Sequence, residues 1–267
     1  MTEPAITSTA NPRIRSAARL RERSARGASG LTLVDGAREI GRALAAGVEV
    51  VELFACLEQA GSDYARSALA LAAAAGIEPV TVSSGVLARL AYGDRSDGVV
   101  AVARVPPTDL ERLSLPADPF VVVVESIEKP GNLGAILRSA DGAGVDALIA
   151  ADPLADVFSP NAIRASLGTI FAVPIAVATT AATLAWLRSW DIAPVVARVD
   201  GSTLYEAAVL TGPIAIVLGN EARGLADPWS GPGIVAVRLP MLGLADSLNV
   251  SAAAAILLYE ARRQRGG

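Results

Sequence analysis

Three short stretches of the chain place polar side chains directly after runs of apolar residues. The first is ESIEKPGNLGAILRSADGAG, where a Pro130-Gly131 turn leads into Asn132, Gly134 and Arg138, with the single lysine, Lys129, beside it. Asparagine is a common helix cap, and an arginine on a helix face is unremarkable. Two cations flanking a helix start are another matter, because the helix start itself attracts anions. The second stretch is IAIVLGNEARGL, in which a buried-looking strand runs into Gly219, Asn220, Glu221 and then Gly224. Glycine there permits close backbone approach or a positive φ. Glu221 either sits favourably near a helix N-terminus or holds a hydroxyl or an arginine. The third is LPMLGLADSLNVSAAAAILL, which crowds Asp246, Ser247, Asn249 and Ser251 into one turn before an apolar helix. Ser247 as its N-cap accounts for one polar group. Side-chain amides inside a helix compete with backbone bonding, so Asn249 and Ser251 point to a ligand or a partner.

What the chain lacks narrows the chemistry. It has no histidine, hence no imidazole base, no Ser-His-Asp triad and no histidine-ligated metal. There is no CxxC pair, no GxxxxGK[ST] phosphate loop and no HExxH, so no metal is expected. Catalysis must come from Arg, Asp, Glu, Asn, Ser, Tyr or a bound cofactor. The net charge of -4 gives little sign of nucleic-acid binding. Its distribution says more: NPRIRSAARLRERSARG carries Arg13, Arg15, Arg19, Arg21, Arg23 and Arg26 against one acid, Glu22. This is either a solvated helix face or a local phosphate-binding patch.

The elements that must position these groups follow from hydrophobic periodicity. From Leu31 to Val105 the chain alternates strand-like and helical runs: a helix over Ala37 to Ala46, strand VEVVELFAC, helix SALALAAAAG, strand EPVTVS, helix SGVLARLAYG and strand GVVAVARV. That rhythm predicts a small α/β domain over residues 1–105. Four prolines in VPPTDLERLSLPADP, residues 105 to 119, and no sustained period mark 106–118 as a linker. A second α/β rhythm occupies 119–267, opening on FVVVVESI, a β-branched run expected in a strand buried on both faces of a parallel sheet. In such sheets ligands sit beyond the C-terminal strand ends, which is where the three clusters fall. No apolar run approaches the ~18 residues of a membrane span, and the first residues show no signal-peptide pattern. Cys56, the one cysteine, reads as a core thiol. Together these predict a soluble protein in a reducing, cytoplasmic setting.

The set Asn132-x-Gly134-x-x-x-Arg138, then Leu218-Gly219-Asn220-Glu221-x-x-Gly224, then Leu239-Pro240-Met241 with Ser247-Leu248-Asn249-Val250-Ser251, resembles the three motifs of the SpoU/TrmH family. These are S-adenosylmethionine-dependent RNA ribose 2′-O-methyltransferases of the SPOUT superfamily. The resemblance covers residues 120 to 265. The N-terminal half, with TSTANPRI, is similar to the ribosomal-protein-like substrate-binding domain that many members carry. What this implies is a deep trefoil knot at the C-terminus, which strand pattern alone would never suggest, and a homodimer formed through the knotted region. Members bind the cofactor largely through backbone groups, here those of Ala197, Gly219, Leu239, Met241 and Leu248. Arg138 would be the general base or, since guanidinium normally stays protonated, the group gripping the adjacent phosphate. Asn132 would anchor substrate or the methionine part, and Glu221, Ser247 and Asn249 would complete a hydrogen-bonded network around Arg138. Arg13, Arg15, Arg19, Lys129 and Arg164 are the candidates for RNA contacts. Leu167 stands where some ribosomal-RNA-modifying members have a basic residue, with Arg164 one turn earlier as its substitute.

The expected substrate is large-subunit ribosomal RNA, in a housekeeping or an antibiotic-resistance modification. The same chemistry on transfer RNA and a catalytically silent RNA-binding or ribosome-assembly protein are the alternatives. A nucleotide-binding dehydrogenase is disfavoured, because ESIEKPGNLG has the wrong glycine spacing for GxGxxG.

Overall fold

A computed structural model describes residues 6–91 and 97–266 of the chain. The end of the helix expected over SGVLARLAYG, Tyr92 and Gly93, lies outside the described residues. The described chain forms two compact units: residues up to 106 together with 158–172, and residues 107–157 together with 173–266.

The first unit opens with helices α1 (Pro12–Arg19) and α2 (Arg23–Ser29). Asn11 caps α1, its side chain accepting from Arg13 N, and proline occupies the first helical turn. Then come β1 (Leu31–Asp35), α3 (Ala37–Ala45), β2 (Val50–Ala55), α4 (Asp63–Ala74), β3 (Val80–Thr81), α5 (Ser84–Leu90) and β4 (Val99–Arg104). The sheet order is β1-β4-β2-β3, antiparallel around β4 and parallel between β2 and β3. Strand β1 is absent from the sequence reading. Its LTLVD is short, and it ends on a charge, Asp35, which is buried and paired at 2.6 Å with Arg164. That partner comes from helix α7 (Pro160–Ala165), 129 residues away, which no local pattern announces. Cys56 is buried in this unit's core beside Phe54 and Val82, as its apolar neighbours indicated.

The second unit is built on a seven-stranded sheet. Its strands are β5 (Phe120–Glu125), β6 (Ala147–Ala151), β7 (Ile175–Ala178), β8 (Ala193–Ala197), β9 (Thr203–Leu204), β10 (Ile214–Leu218) and β11 (Val235–Arg238). They lie in the order β7-β6-β5-β10-β8-β11-β9, and every neighbouring pair is parallel. All six residues of β5 and all five of β10 are buried, as expected of central strands covered on both faces. Helices α6 (Pro130–Ala143), α8 (Thr180–Ser189) and α9 (Val250–Gln264) complete the unit. The chain is α/β with a mostly parallel second sheet. Part of the stretch expected to be a linker packs instead, because Leu110 and Leu113 at the ends of a short 3-10 turn enter the second unit's core.

Helix α9 packs along α6, burying Val250, Ala254, Leu257, Leu258 and Ala261. Its C-terminal end is tied down by polar groups. Gln264 accepts from Leu210 N at 2.9 Å and donates to Ala208 O at 3.1 Å. Arg265 donates to the carbonyls of Gly212 and Asp118, both at 2.6 Å, and lies over the Phe120 ring. Among the described residues no helix is long and apolar enough to cross a membrane.

Two stability predictions follow from these contacts. Arg26 is buried and donates to the carbonyls of Leu20 and Arg21, both at 2.8 Å. Arg26→Met leaves those acceptors without their donor and should cost about 2 kcal/mol in urea unfolding. Arg15→Met, at an exposed position four residues after Asn11, should stay within ~0.5 kcal/mol. Hydrogen bonds from Arg263 and Gln264 hold the Glu260 carboxyl at a pKa of about 2, against an ordinary 4.5. The unfolded chain therefore binds this proton first as pH falls, so the stabilisation is complete above the ordinary value and disappears as pH drops from there towards 2. The gap in thermal midpoint between the parent and Glu260→Gln should shrink across that window and stay constant above it.

Candidate active site

Strands β5, β10, β8 and β11 are consecutive neighbours, and their register aligns their C-terminal ends. Leu218 lies opposite Val124, Val217 opposite Val196, and Val237 opposite Ala197. Glu125 thus ends β5 where Gly219 leaves β10, while Ala197 ends β8 and Leu239 follows β11. Residues far apart in sequence share one edge of one sheet, beyond its C-terminal strand ends.

Motif residues from the three stretches meet there. Asn132, in the first turn of α6, donates through Nδ2 to Glu221 Oε1, and its Oδ1 accepts from Asn249 Nδ2 at 3.3 Å. Asn249 in turn accepts from the backbone N–H of Ser251 at 2.9 Å and from its hydroxyl at 2.6 Å. A single chain of hydrogen bonds therefore runs Glu221–Asn132–Asn249–Ser251. The other oxygen of Glu221, Oε2, is buried with no hydrogen-bond partner among the described residues, a costly state for a carboxylate. Arg138 lies six residues beyond Asn132 on α6, exposed, and makes no side-chain hydrogen bond or ion pair among the described residues. Lys129 is the N-cap residue of α6, and its side chain is likewise exposed.

Two residues sit differently from the sequence reading. The N-cap of α9 is Asn249, not Ser247: the helix begins at Val250, and the Asn249 side chain caps it. An amide just outside a helix escapes the competition it would face inside one. Ser247 is exposed and makes no hydrogen bond among the described residues. Asn220 is a buried hinge. Its Nδ2 donates to Ser126 O at 2.9 Å and Glu128 Oε1 at 3.0 Å, and its Oδ1 accepts from the N–H groups of Ala222 and Arg223. With paired backbone bonds between Asn220 and Gly224, this closes residues 220–224 into a tight hairpin that holds Glu221 out towards Asn132. Gly219 is required by close approach, since a Cβ there would lie 2.4 Å from the carbonyl carbon of Gly224.

The loop after β11 has a different character. Residues 240–248 make no backbone–backbone hydrogen bond among the described residues, and Leu242 and Leu244 are fully exposed. Ala197, Leu239 and Met241 are half-buried and Leu248 is exposed. Amides without backbone partners beside apolar side chains are groups of the kind that recognise a purine ring. The residues present fit such a group. No set of acids, cysteine or histidine among the described residues could hold a metal ion.

The candidate RNA-contacting arginines belong to the first unit and divide by commitment. Arg13 pairs with Glu52 and Arg164 with Asp35. Arg15 and Arg19 on α1 are exposed and make no side-chain hydrogen bond or ion pair among the described residues. Leu167 stands at φ 55°, and its carbonyl accepts from Arg42 at 2.9 Å. The sequence reading passed over Glu125, a buried carboxylate that three donors from two other segments reach. The signal was present, because a carboxylate directly after a buried strand is what singled out Glu221.

Known proteins resemble this chain along most of its length. The SpoU rRNA Methylase family matches residues 119–259, and an MRM3-like substrate binding domain matches residues 11–101. A 23S rRNA (uridine(2479)-2′-O)-methyltransferase from Streptomyces viridochromogenes is 32% identical over 255 residues, covering 92% of this chain and 87% of that protein. The crystal structure of an RNA 2′-O ribose methyltransferase is 41% identical with a TM-score of 0.85, covering 98% of this chain and 99% of that one. An rRNA methyltransferase from Sinorhizobium meliloti with AdoMet bound is 28% identical with a TM-score of 0.87, each chain covered to 97%. On sequence and fold alike, the chain belongs to the SpoU rRNA Methylase family.

Proposed function

We infer that this protein is an RNA methyltransferase that uses S-adenosylmethionine to methylate a ribose 2′-hydroxyl, with large-subunit ribosomal RNA as substrate. The observation that carries the reading is the hydrogen-bonded chain Glu221–Asn132–Asn249, drawn from three motifs; Arg138, six residues further along α6, makes no side-chain hydrogen bond or ion pair among the described residues. The Streptomyces relative acts on 23S rRNA and the Sinorhizobium neighbour was solved with AdoMet; both properties are carried to this chain here.

The backbone of Gly219, Leu239, Met241 and Leu248, with Ala197, would hold the cofactor. When bound it supplies an electrophilic methyl group attached to a good leaving group. The chain's own task is to align the hydroxyl, remove its proton and exclude water. Arg138 carries a permanent charge and has no competing partner among the described residues, so it grips the phosphate beside the target ribose and orients the hydroxyl. Asn132, held from both sides by Glu221 and Asn249, anchors substrate in a fixed rotamer. The buried free oxygen of Glu221 is an acceptor waiting for a donor, and Ser247 offers an exposed hydroxyl on the opposite wall. Lys129, Arg15 and Arg19 supply further phosphate contacts, with Arg13 and Arg164 contributing from their ion pairs.

The first unit serves as the RNA-binding domain in this reading, and the second is catalytic. A trefoil knot through the C-terminal region, homodimerisation through it and a cytoplasmic location complete the proposal. The packing of α9 on α6 and the anchored end of α9 suit a threaded C-terminus. Exposed Ile256 and Tyr259 on α9 suit a second copy.

Arg138→Ala should abolish transfer of tritiated methyl to ribosomal RNA, a loss on the order of 10²-fold or more, while S-adenosylmethionine binding measured by calorimetry persists. Transfer at the parental rate would remove Arg138 from the mechanism. Gly219→Ala drives a Cβ into the Gly224 backbone, so calorimetry should show loss of cofactor binding. Equal binding by the two proteins would exclude the Gly219 turn as part of the cofactor site.

A further inference from the structure

The methyl-transfer reading leaves one heavily used side chain of the second unit without a part. Glu125 ends β5 and is buried. Its Oε1 accepts from Thr180 Oγ1 at 2.7 Å and from the Trp229 indole N–H at 2.8 Å, and its Oε2 accepts from Ala226 N at 2.8 Å. No cation pairs with it among the described residues. Trp229 is itself fully buried. A buried carboxylate is costly to desolvate even when bonded, and apolar residues of similar volume commonly fill such a space as well or better. What apolar packing does not supply is direction: three hydrogen bonds fix where the backbone at 226 and the ring at 229 must lie.

That backbone continues the motif hairpin. A single residue, Leu225, separates Gly224 from Ala226, and the hairpin's other end is tied to the same strand terminus through the Asn220 bonds to Ser126 and Glu128. Ser126, next to Glu125, takes the left-handed conformation at φ 50°, uncommon for a non-glycine residue. It turns its carbonyl to Asn220 while its N–H donates to Ala151 O. Residues 220–226 are thus latched to 125–128 at both ends. Gly219 and Glu221, one from the cofactor face and one from the hydrogen-bonded chain, lie at the start of this latched segment.

We propose that Glu125 is a positioning residue for methyl transfer, acting through Trp229 and Ala226 to hold residues 219–226 in the geometry that binds the methyl donor. The proposal rests on the methyl-transfer reading of the site. Two variants test it. Trp229→Phe keeps a smaller aromatic ring and removes the N–H donor. The triple variant Glu125→Met, Thr180→Val, Trp229→Phe removes the whole polar cluster, with the two new substitutions close in size to the side chains they replace, and is compared with Trp229→Phe. Each is measured for thermal midpoint, S-adenosylmethionine affinity by calorimetry, donor and RNA KM, and amide exchange over residues 219–226.

Trp229→Phe should weaken donor binding and raise donor KM about tenfold, the lower end of the effect of losing an outer supporting contact. RNA KM should stay at the parental value, and exchange over 219–226 should quicken. The triple variant should recover the parental thermal midpoint while donor affinity remains low. Recovery of donor affinity together with the midpoint would overturn the proposal, since Glu125 would then only fill space. Parental donor affinity in Trp229→Phe would overturn it as well. A parent protein that binds no S-adenosylmethionine would instead overturn the functional reading on which the proposal rests.

Discussion

The alignment of β5 with β10 is the constraint on which the rest of the site depends. Both strands are buried on both faces, so neither can carry a functional polar side chain along its length without burying it. Parallel pairing then brings their C-terminal ends to one edge, with Leu218 opposite Val124. Chemistry is driven to that edge because it is the first place where the chain can turn, expose amides and project polar groups. Glu125, Ser126, Gly219 and Glu221 lie within a few residues of it, and Asn132 follows once the chain has turned into α6. Had β10 slipped by one residue, Glu221 would lose Asn132 and Gly219 would lose its place beside the end of β5. Register in a fully buried parallel pair is therefore a functional parameter as well as a structural one.

The arginines show how far charge alone can be read. Six of them crowd residues 13 to 26, and the sequence offered two readings for the whole group. The structure divides them: Arg26 is an interior clamp on two carbonyls, Arg21 reaches carbonyls at the end of α5, Arg13 pairs with Glu52, and Arg15 and Arg19 stand open. A guanidinium with five donors serves as readily to satisfy orphaned carbonyls as to meet phosphate. Only three-dimensional neighbours decide which.

Much of the second unit was legible, because its strands are continuous apolar runs. FVVVV and IAIVL fall where their composition puts them, whereas α6 begins at Pro130 with Lys129 as its cap, so Asn132, read as a cap after a turn, lies inside the first helical turn. The motif stretches were legible as polar residues after strands. What stayed hidden depends on partners distant in sequence. Strand β1 ends on an acid whose cation is 129 residues away. Asn220, read only as part of the turn after a strand, proves to be hydrogen-bonded across 94 residues. Ser247 and Asn249 exchanged the capping role because either fits the same local pattern, and only the backbone angles distinguish them. Leu110 and Leu113, in a proline-rich stretch, look like linker until the core that receives them is known.

The loop at 240–248 carries a thermodynamic consequence. Its backbone groups bond to no other backbone group among the described residues, and its largest side chains face outward. A segment so weakly held has little enthalpy of its own to lose, and much conformational entropy to surrender when a ligand engages its amides. On the proposed reading, donor affinity at this face would be the difference between contacts made and freedom lost, and its calorimetric signature a large favourable enthalpy opposed by an unfavourable entropy.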